Sequence, residues 1–312
     1  MPEGKIVLHH YARSPFSEKI RLAFGLKRVH WHSVLQPRIA PKPDLVPLTG
    51  GYRRIPVMQI GADIYCDTRC ILAALERRIP TPSLYPPGTA GLADMVAGFA
   101  DRFLFADALG LVFARHGDRF PPELHADRAR FTAGRFDGWD PVRMAAKLPS
   151  LPHHFDTHRA WIERLLSDGR AYLLGPEPGV ADLSSYHPLW YAQENLGPEE
   201  IGWRDYPNLQ RWMARIGEIG HGTPEELPPS EALAQARAAE PAPLTGAAPA
   251  TALADPLIGR RVNVTPDDWG FDPVEGELMA LDPSRIVVRR RDPQAGTVMV
   301  HFPHTGFVVT GV

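Results

Sequence analysis

Apolar positions in residues 5–80 change between two periods, so this segment is predicted to alternate strands with helices. Residues 6–10 form a short run of β-branched and apolar side chains, which favours a strand. Residues 16–26 carry apolar side chains at three- and four-residue intervals, the spacing of an amphipathic helix. Residues 30–35 alternate again as a strand does. The segment therefore begins with a predicted βαβ unit.

A hairpin and a further helix are predicted to follow. Two strand-like runs, residues 56–60 and 62–65, flank Gly61, and this arrangement predicts a β-hairpin. Residues 67–78 have helical spacing and end before Pro80, as helices commonly do. The order βαβ then ββα matches an α/β fold of the thioredoxin-like type.

The middle of the chain, residues 90–220, is predicted to be helical throughout. Residues 92–113 show a long apolar periodicity, and residues 155–166 present an apolar stripe that is typical of a core-facing helix. Residues 115–150 are richer in glycine and proline. We interpret them as an insertion near the mouth of a site.

The C-terminal segment differs in character from what precedes it. Residues 241–254 are rich in alanine and proline, which is typical of a semi-rigid linker. Residues 255–312 contain several short strand-like runs separated by turns. Such a pattern predicts a small all-β barrel, SH3-like or OB-like, as a further domain. The predicted strands are residues 261–265, 274–281, 285–291, 297–302 and 307–310.

Composition places the chain among ordinary globular proteins. Of 312 residues, 44% are hydrophobic and 22% are charged, and the formal net charge is -2. This balance offers no broad basic face for nucleic acid or an anionic membrane. No apolar run approaches a membrane-spanning length, and the N-terminus lacks a secretory pattern. Two cysteines make no disulfide framework, so we expect a cytoplasmic protein.

The candidate site begins at the first predicted helix, which opens with Ser14 and Pro15. Serine is a favoured N-cap, and proline suits the first helical position because its missing N–H would have no partner there. Unpaired N–H groups and the helix dipole make such a helix start attractive to an anion. The Ser14 hydroxyl therefore either caps the helix or holds the sulfur of a bound thiolate.

Three motifs occur in an order and spacing that resemble the glutathione transferase family. The motifs are Ser-Pro-Phe from Ser14, Ile-Pro-Val from Ile55, and the pair Asp67-Thr68 at the start of a third helix. The resemblance implies a thioredoxin-like glutathione-binding domain over residues 1–85 and an all-helical domain over residues 90–240. It does not extend to the C-terminal barrel predicted above.

The resemblance implies that glutathione binds as a co-substrate. Such a site must stabilise the glutathione thiolate, and Ser14 is the first candidate. A free thiol has a pKa of about 8.5, and a helix N-terminus lowers it. Tyr11 and Ser17 are the alternative donors. Because serine stands where some family members have a nucleophilic cysteine, a mixed-disulfide mechanism is disfavoured.

The resemblance also implies a cis peptide bond between Ile55 and Pro56. The resulting turn would leave the backbone N–H and C=O of Val57 free to pair with the tripeptide, as an added strand does. The alternative is a trans proline that simply begins a strand.

The γ-glutamyl end of glutathione is expected at Asp67 and Thr68. The N–H and hydroxyl of Thr68 would hold the carboxylate at a helix start, and Asp67 would pair with the ammonium. Arg53 or Arg54 would reach the glycine carboxylate, although an exposed solvated pair is an equal alternative. The family more often has Glu or Gln followed by Ser, so the Asp–Thr pair changes the geometry of this anchor.

Two further features concern a helix start and metals. Gly179 stands where the family usually has Ser or Thr, so Asp182 can supply only half of a capping box. Several histidines occur in short groups but have no acidic or cysteine partner at a metal-binding spacing. We therefore predict structural or exposed histidines and no metal site. The histidines are His9, His10, His30, His32, His153, His154 and His158.

The resemblance thus implies a glutathione transferase-like detoxification enzyme, a homodimer that acts on a small apolar electrophile or a peroxide. The alternative is a non-catalytic binding module whose C-terminal barrel recruits a partner, since Asp67, Thr68 and Gly179 depart from the family pattern. A third possibility, RNA association through the barrel, lacks a basic face. The arginine run at residues 289–291 would divide between the two faces of a strand.

Overall fold

The N-terminal elements occur in the predicted order in the structure, a computed structural model that describes residues 4–134, 139–244 and 256–312. They are β1 (Ile6–His10), α1 (Pro15–Leu26), β2 (His30–Leu35), α2 (Val46–Thr49), β3 (Val57–Ile60), β4 (Asp63–Cys66) and α3 (Thr68–Arg78). Strand β1 is parallel to β2 and antiparallel to β3, and β3 is antiparallel to β4. This arrangement confirms the predicted thioredoxin-like fold.

The middle of the chain is helical, as predicted. Its helices are α4 (Ala90–Phe99), α5 (Phe105–His116), α6 (Pro122–Phe131), α7 (Pro141–Ala146), α8 (Leu151–Leu165), α9 (Val180–Leu196), α10 (Pro198–Ile201) and α11 (Pro207–Gly217). A π-helical turn, Ala100–Leu104, joins α4 to α5 and interrupts the predicted continuous periodicity. Short 3₁₀ turns occupy Gly117–Arg119 and Trp203–Asp205. Within the described residues, no helix combines the length and apolarity needed to cross a membrane.

The predicted insertion, residues 115–150, supplies α6 and α7, while residues 135–138 lie outside the described residues. Helix α9 occupies the centre of the helical domain and packs against α1, α4, α5 and α11. It therefore joins the helical domain to the N-terminal sheet.

The C-terminal segment forms the predicted strands, but these strands extend the N-terminal sheet. After β5 (Thr223–Glu226) and α12 (Pro229–Ala238) come β6 (Arg261–Pro266), β7 (Val274–Asp282), β8 (Arg285–Asp292), β9 (Gly296–Phe302) and β10 (Phe307–Gly311). The sheet order is β10-β6-β7-β8-β9-β4-β3-β1-β2-β5. Because β9 pairs with β4, the strand-rich region continues one ten-stranded sheet. Of the predicted linker, residues 245–254 lie outside the described residues.

Two apolar clusters account for this arrangement. One lies between the N-terminal sheet and the helices and includes Leu8, Phe24 and Trp31. The other joins the two parts of the sheet, because Ile64 of β4 packs in the same cluster as Val300 of β9. Burial of one such side chain contributes about 1.5–3 kcal/mol, so the C-terminal strands are held by a core shared with the first domain.

The start of α9 explains one departure from the family pattern. Asp182 accepts hydrogen bonds from the N–H groups of Gly179 and Leu173 at 3.0 and 2.8 Å, and from Trp212 Nε1 at 2.8 Å. A Cβ on Gly179 would lie 2.7 Å from the carbonyl oxygen of Leu84. Glycine is therefore required by a close backbone approach, and Asp182 alone completes the cap.

Candidate active site

A cleft of about 200 Å³ lies where the thioredoxin-like domain, the helical domain and the C-terminal strands meet. We call its lining residues from the first domain the N-terminal wall and those from the rest of the chain the far wall. The N-terminal wall contains Tyr11, Arg13, Ser14, Pro15, Phe16, Arg38, Lys42, Tyr52, Arg53, Arg54, Ile55, Pro56, Asp67 and Thr68. The far wall contains Asp101, Phe105, Leu109, Phe113, Arg128, Phe131, Thr132, Trp139, Tyr191, Asp268 and Trp269.

Ser14 lines the cleft at the start of α1. It is 2% exposed, and its Oγ accepts a hydrogen bond from Ser17 N at 3.2 Å, which makes it the N-cap of the helix. Because this bond uses Oγ only as an acceptor, the hydroxyl hydrogen remains available to a ligand. No acceptor for that hydrogen occurs among the described residues. Capping and anion binding are therefore compatible at Ser14.

The Ile55–Pro56 bond is cis, as the resemblance implied. Ile55 and Pro56 line the cleft, and within the described ranges neither backbone polar group of Ile55 has a backbone partner. Val57 differs from the expectation. It is fully buried in β3, where it pairs with His9 on one side and Cys66 on the other, and it does not line the cleft. Because two-sided pairing begins at Val57, the backbone open to a ligand belongs to Ile55.

Asp67 and Thr68 line the cleft at the start of α3. Asp67 has a φ of 74°, which is uncommon for a residue with a Cβ, and its carboxylate accepts a hydrogen bond from Arg69 N at 2.9 Å. Burial raises the pKa of Asp67, and the hydrogen bond from Arg69 offsets part of this rise. Thr68 is 4% exposed, and its Oγ1 accepts a hydrogen bond from Lys19 Nζ at 3.3 Å.

A buried charged network lies behind this anchor. Asp101, on the π-helical turn, pairs with Lys19 at 2.9 Å and with His187 Nε2 at 3.0 Å. Burial favours a higher pKa for Asp101, but the Lys19 ammonium and the His187 hydrogen bond prevail and lower the pKa to about 2. Because an ionised carboxylate only accepts, His187 Nε2 must carry the hydrogen. The network therefore holds an ionised carboxylate at the edge of the cleft, and the buried Lys19 ammonium balances its charge.

Arg54 and Arg53 are both engaged by later parts of the chain. Arg54 pairs with Asp268 and also donates to the carbonyl oxygen of Trp269. Arg53 pairs with Asp127 of α6. Neither arginine is the exposed, solvated side chain of the alternative interpretation. Asp268 already compensates the charge of Arg54. Arg54 is therefore a weaker anchor for a ligand carboxylate than the sequence indicated.

Asp127 is fully buried and joins the two walls. It accepts hydrogen bonds from Arg53, from Ala40 N at 3.1 Å and from Arg128 at 2.8 Å. The guanidinium groups of Arg53 and Arg128 also lie 5.0 and 5.8 Å from the ring centre of Phe131. This cluster fixes α6 against the loops of the first domain.

The cleft carries an excess of positive charge. Among the described residues, six basic side chains line it against three carboxylates. Burial and the charges of Arg53 and Arg128 lower the pKa of Lys42 to about 8. Arg38 Nε is buried without a hydrogen-bond partner. The basic residues are Arg13, Arg38, Lys42, Arg53, Arg54 and Arg128, and the carboxylates are Asp67, Asp101 and Asp268.

The remaining candidate residues differ in whether they reach the cleft. Tyr11 lines the cleft beside Ser14, and its carbonyl oxygen accepts a hydrogen bond from Ser14 N at 3.1 Å. Ser17 is fully buried and does not line the cleft, so it is a poor donor to a ligand. Cys66 and Cys70 are buried, and burial raises the pKa of Cys70 to about 12. These thiols are therefore unreactive.

Sequence reasoning missed most of the far wall. Asp101, Arg128 and Trp269 lie far along the chain from the three motifs, and no short pattern distinguishes them. One signal was present, because Arg128 and Phe131 fall within the insertion that was expected near the mouth of the site.

Comparisons with known proteins agree with this architecture. A model of the glutathione S-transferase N-terminal domain matches residues 8–83, and a model of the glutathione S-transferase C-terminal domain matches residues 154–215. The chain is 36% identical to a GST-like protein from Pseudomonas syringae, with a TM-score of 0.80. That match covers 99% of this chain and 100% of the other, so it includes the C-terminal strands.

More distant structures share the fold. A glutathione S-transferase from Rhodospirillum rubrum F11 is 21% identical, with a TM-score of 0.54, over 68% of this chain and 87% of that one. A glutathione S-transferase from Methylobacterium radiotolerans, in complex with glutathione sulfonate, is 22% identical, with a TM-score of 0.50, over 72% of this chain and 97% of that one. No curated protein is similar enough to the chain to match it.

Proposed function

The chain belongs to the glutathione S-transferase-like family, and from this premise we propose that its cleft binds glutathione and that Ser14 stabilises the glutathione thiolate. The observation that carries the proposal is the convergence of two helix starts on one cleft. Ser14 caps α1, and Thr68 opens α3. Both starts present unpaired N–H groups and partial positive charge, which suits a ligand with a thiolate and a carboxylate.

Ser14 acts on the thiolate by donating the hydrogen that its capping bond leaves unused. A hydrogen bond to a charged acceptor contributes about 1.5–3 kcal/mol. Since one pKa unit corresponds to about 1.4 kcal/mol, this bond lowers the thiol pKa by about one to two units, to near neutral pH. Tyr11, which also lines the cleft, is the alternative donor.

The other groups of glutathione have matching partners along the N-terminal wall. Thr68 holds the γ-glutamyl carboxylate, and the carboxyl group of Asp67, which lines the cleft beside it, pairs with the ammonium. The open backbone groups of Ile55 pair with the cysteinyl residue, as in strand addition. Lys42 attracts the glycine carboxylate. The structure from Methylobacterium radiotolerans, which shares this fold, is a complex with glutathione sulfonate, and this supports glutathione as the ligand class.

The far wall supplies the surface for an electrophile. Its aromatic and aliphatic side chains give the cleft an apolar surface; these are Phe105, Leu109, Phe113, Phe131, Trp139 and Trp269. The thiolate attacks an electrophilic carbon there, a C–S bond forms, and the leaving group departs with the bonding electron pair. With an organic hydroperoxide, the thiolate attacks one peroxide oxygen and becomes a sulfenic acid, while the O–O bond breaks and the other oxygen leaves as the alcohol after taking a proton. A second glutathione then converts the sulfenic acid to the disulfide and water.

A homodimer forms part of this proposal. Several large apolar side chains on α4, the π-helical turn and α8 are exposed, including Met95 at 73%, Phe103 at 63% and Trp161 at 47%. Such a surface favours association. Light scattering should give twice the chain mass, and Met95→Glu with Phe103→Glu should give a monomer. A wild-type protein that is monomeric in solution would contradict the proposed homodimer.

The non-catalytic alternative receives less support. Asp268 and Trp269 of the strand-rich region line the cleft, and the strands share a core with the first domain. We therefore interpret that region chiefly as a wall of the cleft, with recruitment of a partner as the secondary possibility.

Calorimetric titration with glutathione, followed by turnover of an activated aryl chloride and an organic hydroperoxide, tests the function. We expect binding by the wild-type protein and by Ser14→Ala, with turnover reduced about 10- to 100-fold in the variant, the equivalent of one lost hydrogen bond to a charged group. Tyr11→Phe should retain most turnover. Binding without turnover of either substrate would favour the module, and absence of binding would contradict the proposal.

A further inference from the structure

We propose that His30, His32 and Glu225 form a binding site for a divalent transition metal ion such as Zn²⁺, at the edge of the sheet. One potential ligand atom from each of these three side chains lies within 4.8 Å of the other two, and no other group of three or more His, Cys, Asp or Glu residues in the described part of the chain meets this criterion. No short sequence pattern indicates this group, because Glu225 lies far along the chain from the two histidines.

Strand pairing brings the three side chains together. His30 and His32 are two residues apart on β2, so both side chains project from the same face of the strand. Strand β5 runs parallel to β2 at the sheet edge, and its register places Glu225 directly beside His32. The cluster is therefore a product of the fold, with two ligands on one strand and one on its neighbour.

The distances suit a metal after a small adjustment. Glu225 Oε2 lies 3.7 Å from His30 Nε2 and 3.7 Å from His32 Nδ1. Ligand atoms at about 2.0–2.2 Å from a tetrahedral zinc ion are about 3.4 Å apart. The side chains of His30 and Glu225 are 61% and 59% exposed, so they can turn toward a shared ion, whereas His32 is held in place at 4%.

His32 supplies the observation that indicates a ligand. Its Nδ1 atom is buried and has no hydrogen-bond partner, although it faces the Glu225 carboxylate. Buried polar atoms are rarely left unsatisfied, and each exception calls for a cause such as an ion. A metal ion between Nδ1 and Oε2 would satisfy the lone pair and bring the two strands together.

The donor atoms define the class of metal. Two imidazole nitrogens and one carboxylate oxygen are ligands that zinc and its neighbours among the divalent transition metals accept. Mg²⁺ and Ca²⁺ prefer oxygen ligands throughout. Three protein ligands leave a fourth position for water.

The site is independent of the proposed glutathione cleft. His32 pairs with Val7, near the beginning of β1, whereas Ser14 follows the opposite end of that strand. None of the three ligands lines the cleft. All four residues of β5 are exposed, so a metal there would fasten the segment that follows the helical domain to the first domain.

Titration of the chelator-treated, full-length protein with Zn²⁺ tests the site, with Co²⁺ absorption as a spectroscopic report of imidazole ligation. We expect one Zn²⁺ per chain, a melting temperature that rises with Zn²⁺ concentration, and no effect of Mg²⁺. Glu225→Gln and His30→Gln change exposed side chains, so their folding is not at risk. Each should weaken Zn²⁺ binding by at least about tenfold, since even loss of an outer partner costs 10- to 100-fold.

Two variants serve as matched controls. Glu226→Gln alters the neighbouring carboxylate, whose side chain projects from the other face of β5. His154→Gln alters a histidine near Asp107 in the helical domain. Both should bind Zn²⁺ as the wild-type protein does. Absence of stoichiometric binding, unchanged affinity in Glu225→Gln and His30→Gln, or loss of binding in His154→Gln would each overturn the proposal.

Discussion

The two walls of the cleft are built from different kinds of interaction. The N-terminal wall presents the helix starts at Ser14 and Thr68 and the open backbone groups of Ile55. The far wall presents aromatic rings and charged side chains, several of which, like Asp101, are fixed by buried pairs. Backbone groups suit a constant ligand because they do not depend on the side chain. Side chains from distant helices suit a ligand that differs from one substrate to the next. Because several of these side chains form buried ion pairs, the far wall also contributes to the stability of the fold.

The largest expected effect comes from breaking the cluster that joins the walls. Asp127→Ala removes the acceptor shared by Arg53 and Arg128 and leaves both guanidinium groups partly buried without it. Loss of one partner of a buried ion pair costs about 3–5 kcal/mol. Urea denaturation should show a decrease of this size in the free energy of unfolding. Asp118→Ala, at an exposed site nearby, should change it by less than about 0.5 kcal/mol; equal effects would contradict the account.

Acid should weaken the sheet behind the N-terminal wall. Burial lowers the pKa of His9 to about 4 and, with the charge of Arg21, that of His10 to about 3. The unfolded chain binds protons near pH 6.5, so between 6.5 and the folded-state values it holds more protons, and stability decreases as the pH falls. We expect a loss of about 2 kcal/mol per histidine between pH 7 and pH 5.

Urea denaturation at several pH values measures this loss. Burial keeps His9 neutral at pH 7. Its Nδ1 accepts a hydrogen bond from Gln36 Nε2 at 3.3 Å, and its Nε2 donates one to Gln59 Oε1 at 3.0 Å. His153→Gln, which changes an exposed histidine, should leave the pH dependence unaltered. A free energy of unfolding that stays constant from pH 7 to pH 5 would contradict this prediction.

The anchor on the N-terminal wall should matter for affinity more than for stability. Thr68→Val removes a hydroxyl that we assign to the γ-glutamyl carboxylate, while Lys19 keeps its ion pair with Asp101. A hydrogen bond to a charged group contributes about 1.5–3 kcal/mol, so glutathione should bind about 10- to 100-fold more weakly. Calorimetry measures this change, and Thr68→Ser should restore most of the affinity. Equal affinities for the Val and Ser variants would place the carboxylate elsewhere.

The smallest effect concerns the charge of Lys42. Its pKa is lowered to about 8, so the ammonium is present below that pH and is lost above it. Affinity for S-methylglutathione, which has no thiol to titrate, should fall up to about tenfold from pH 7 to pH 9. Lys42→Arg keeps its charge over this range and should show a much smaller decrease. Parallel curves for the two proteins would exclude Lys42 as the anchor.

The contrast between the walls also explains what the sequence could predict. The order of strands and helices in the first domain, and the positions of Ser14, Asp67 and Thr68 at helix starts, follow from local patterns of apolar spacing and capping. The resemblance correctly indicated the cis bond at Pro56 and pointed to Val57 for backbone pairing with the ligand. In the structure Val57 is paired on both sides within the sheet, whereas Ile55, two positions earlier, has no backbone partner among the described residues, so we assign the pairing to Ile55.

The rest depends on contacts between distant segments. Five C-terminal strands were predicted correctly, but their continuation into β4 depends on a shared apolar core that includes Ile64 and Val300. Likewise, the pairing of Arg54 with Asp268 joins residues far apart in the chain. Periodicity and short motifs contain no information on such pairs, so the far wall became visible only in the fold.

The central claim is that the start of α1 and the Ser14 hydroxyl favour anionic sulfur, and the pKa of bound glutathione tests it most directly. Ultraviolet thiolate absorbance, recorded against pH with the protein in excess, should give a thiol pKa at least about one unit below its value in buffer. In Ser14→Ala the pKa of the bound thiol should return most of the way to its value in buffer, whereas in Tyr11→Phe it should stay low. A bound thiol that ionises at the same pH as in buffer would contradict the account.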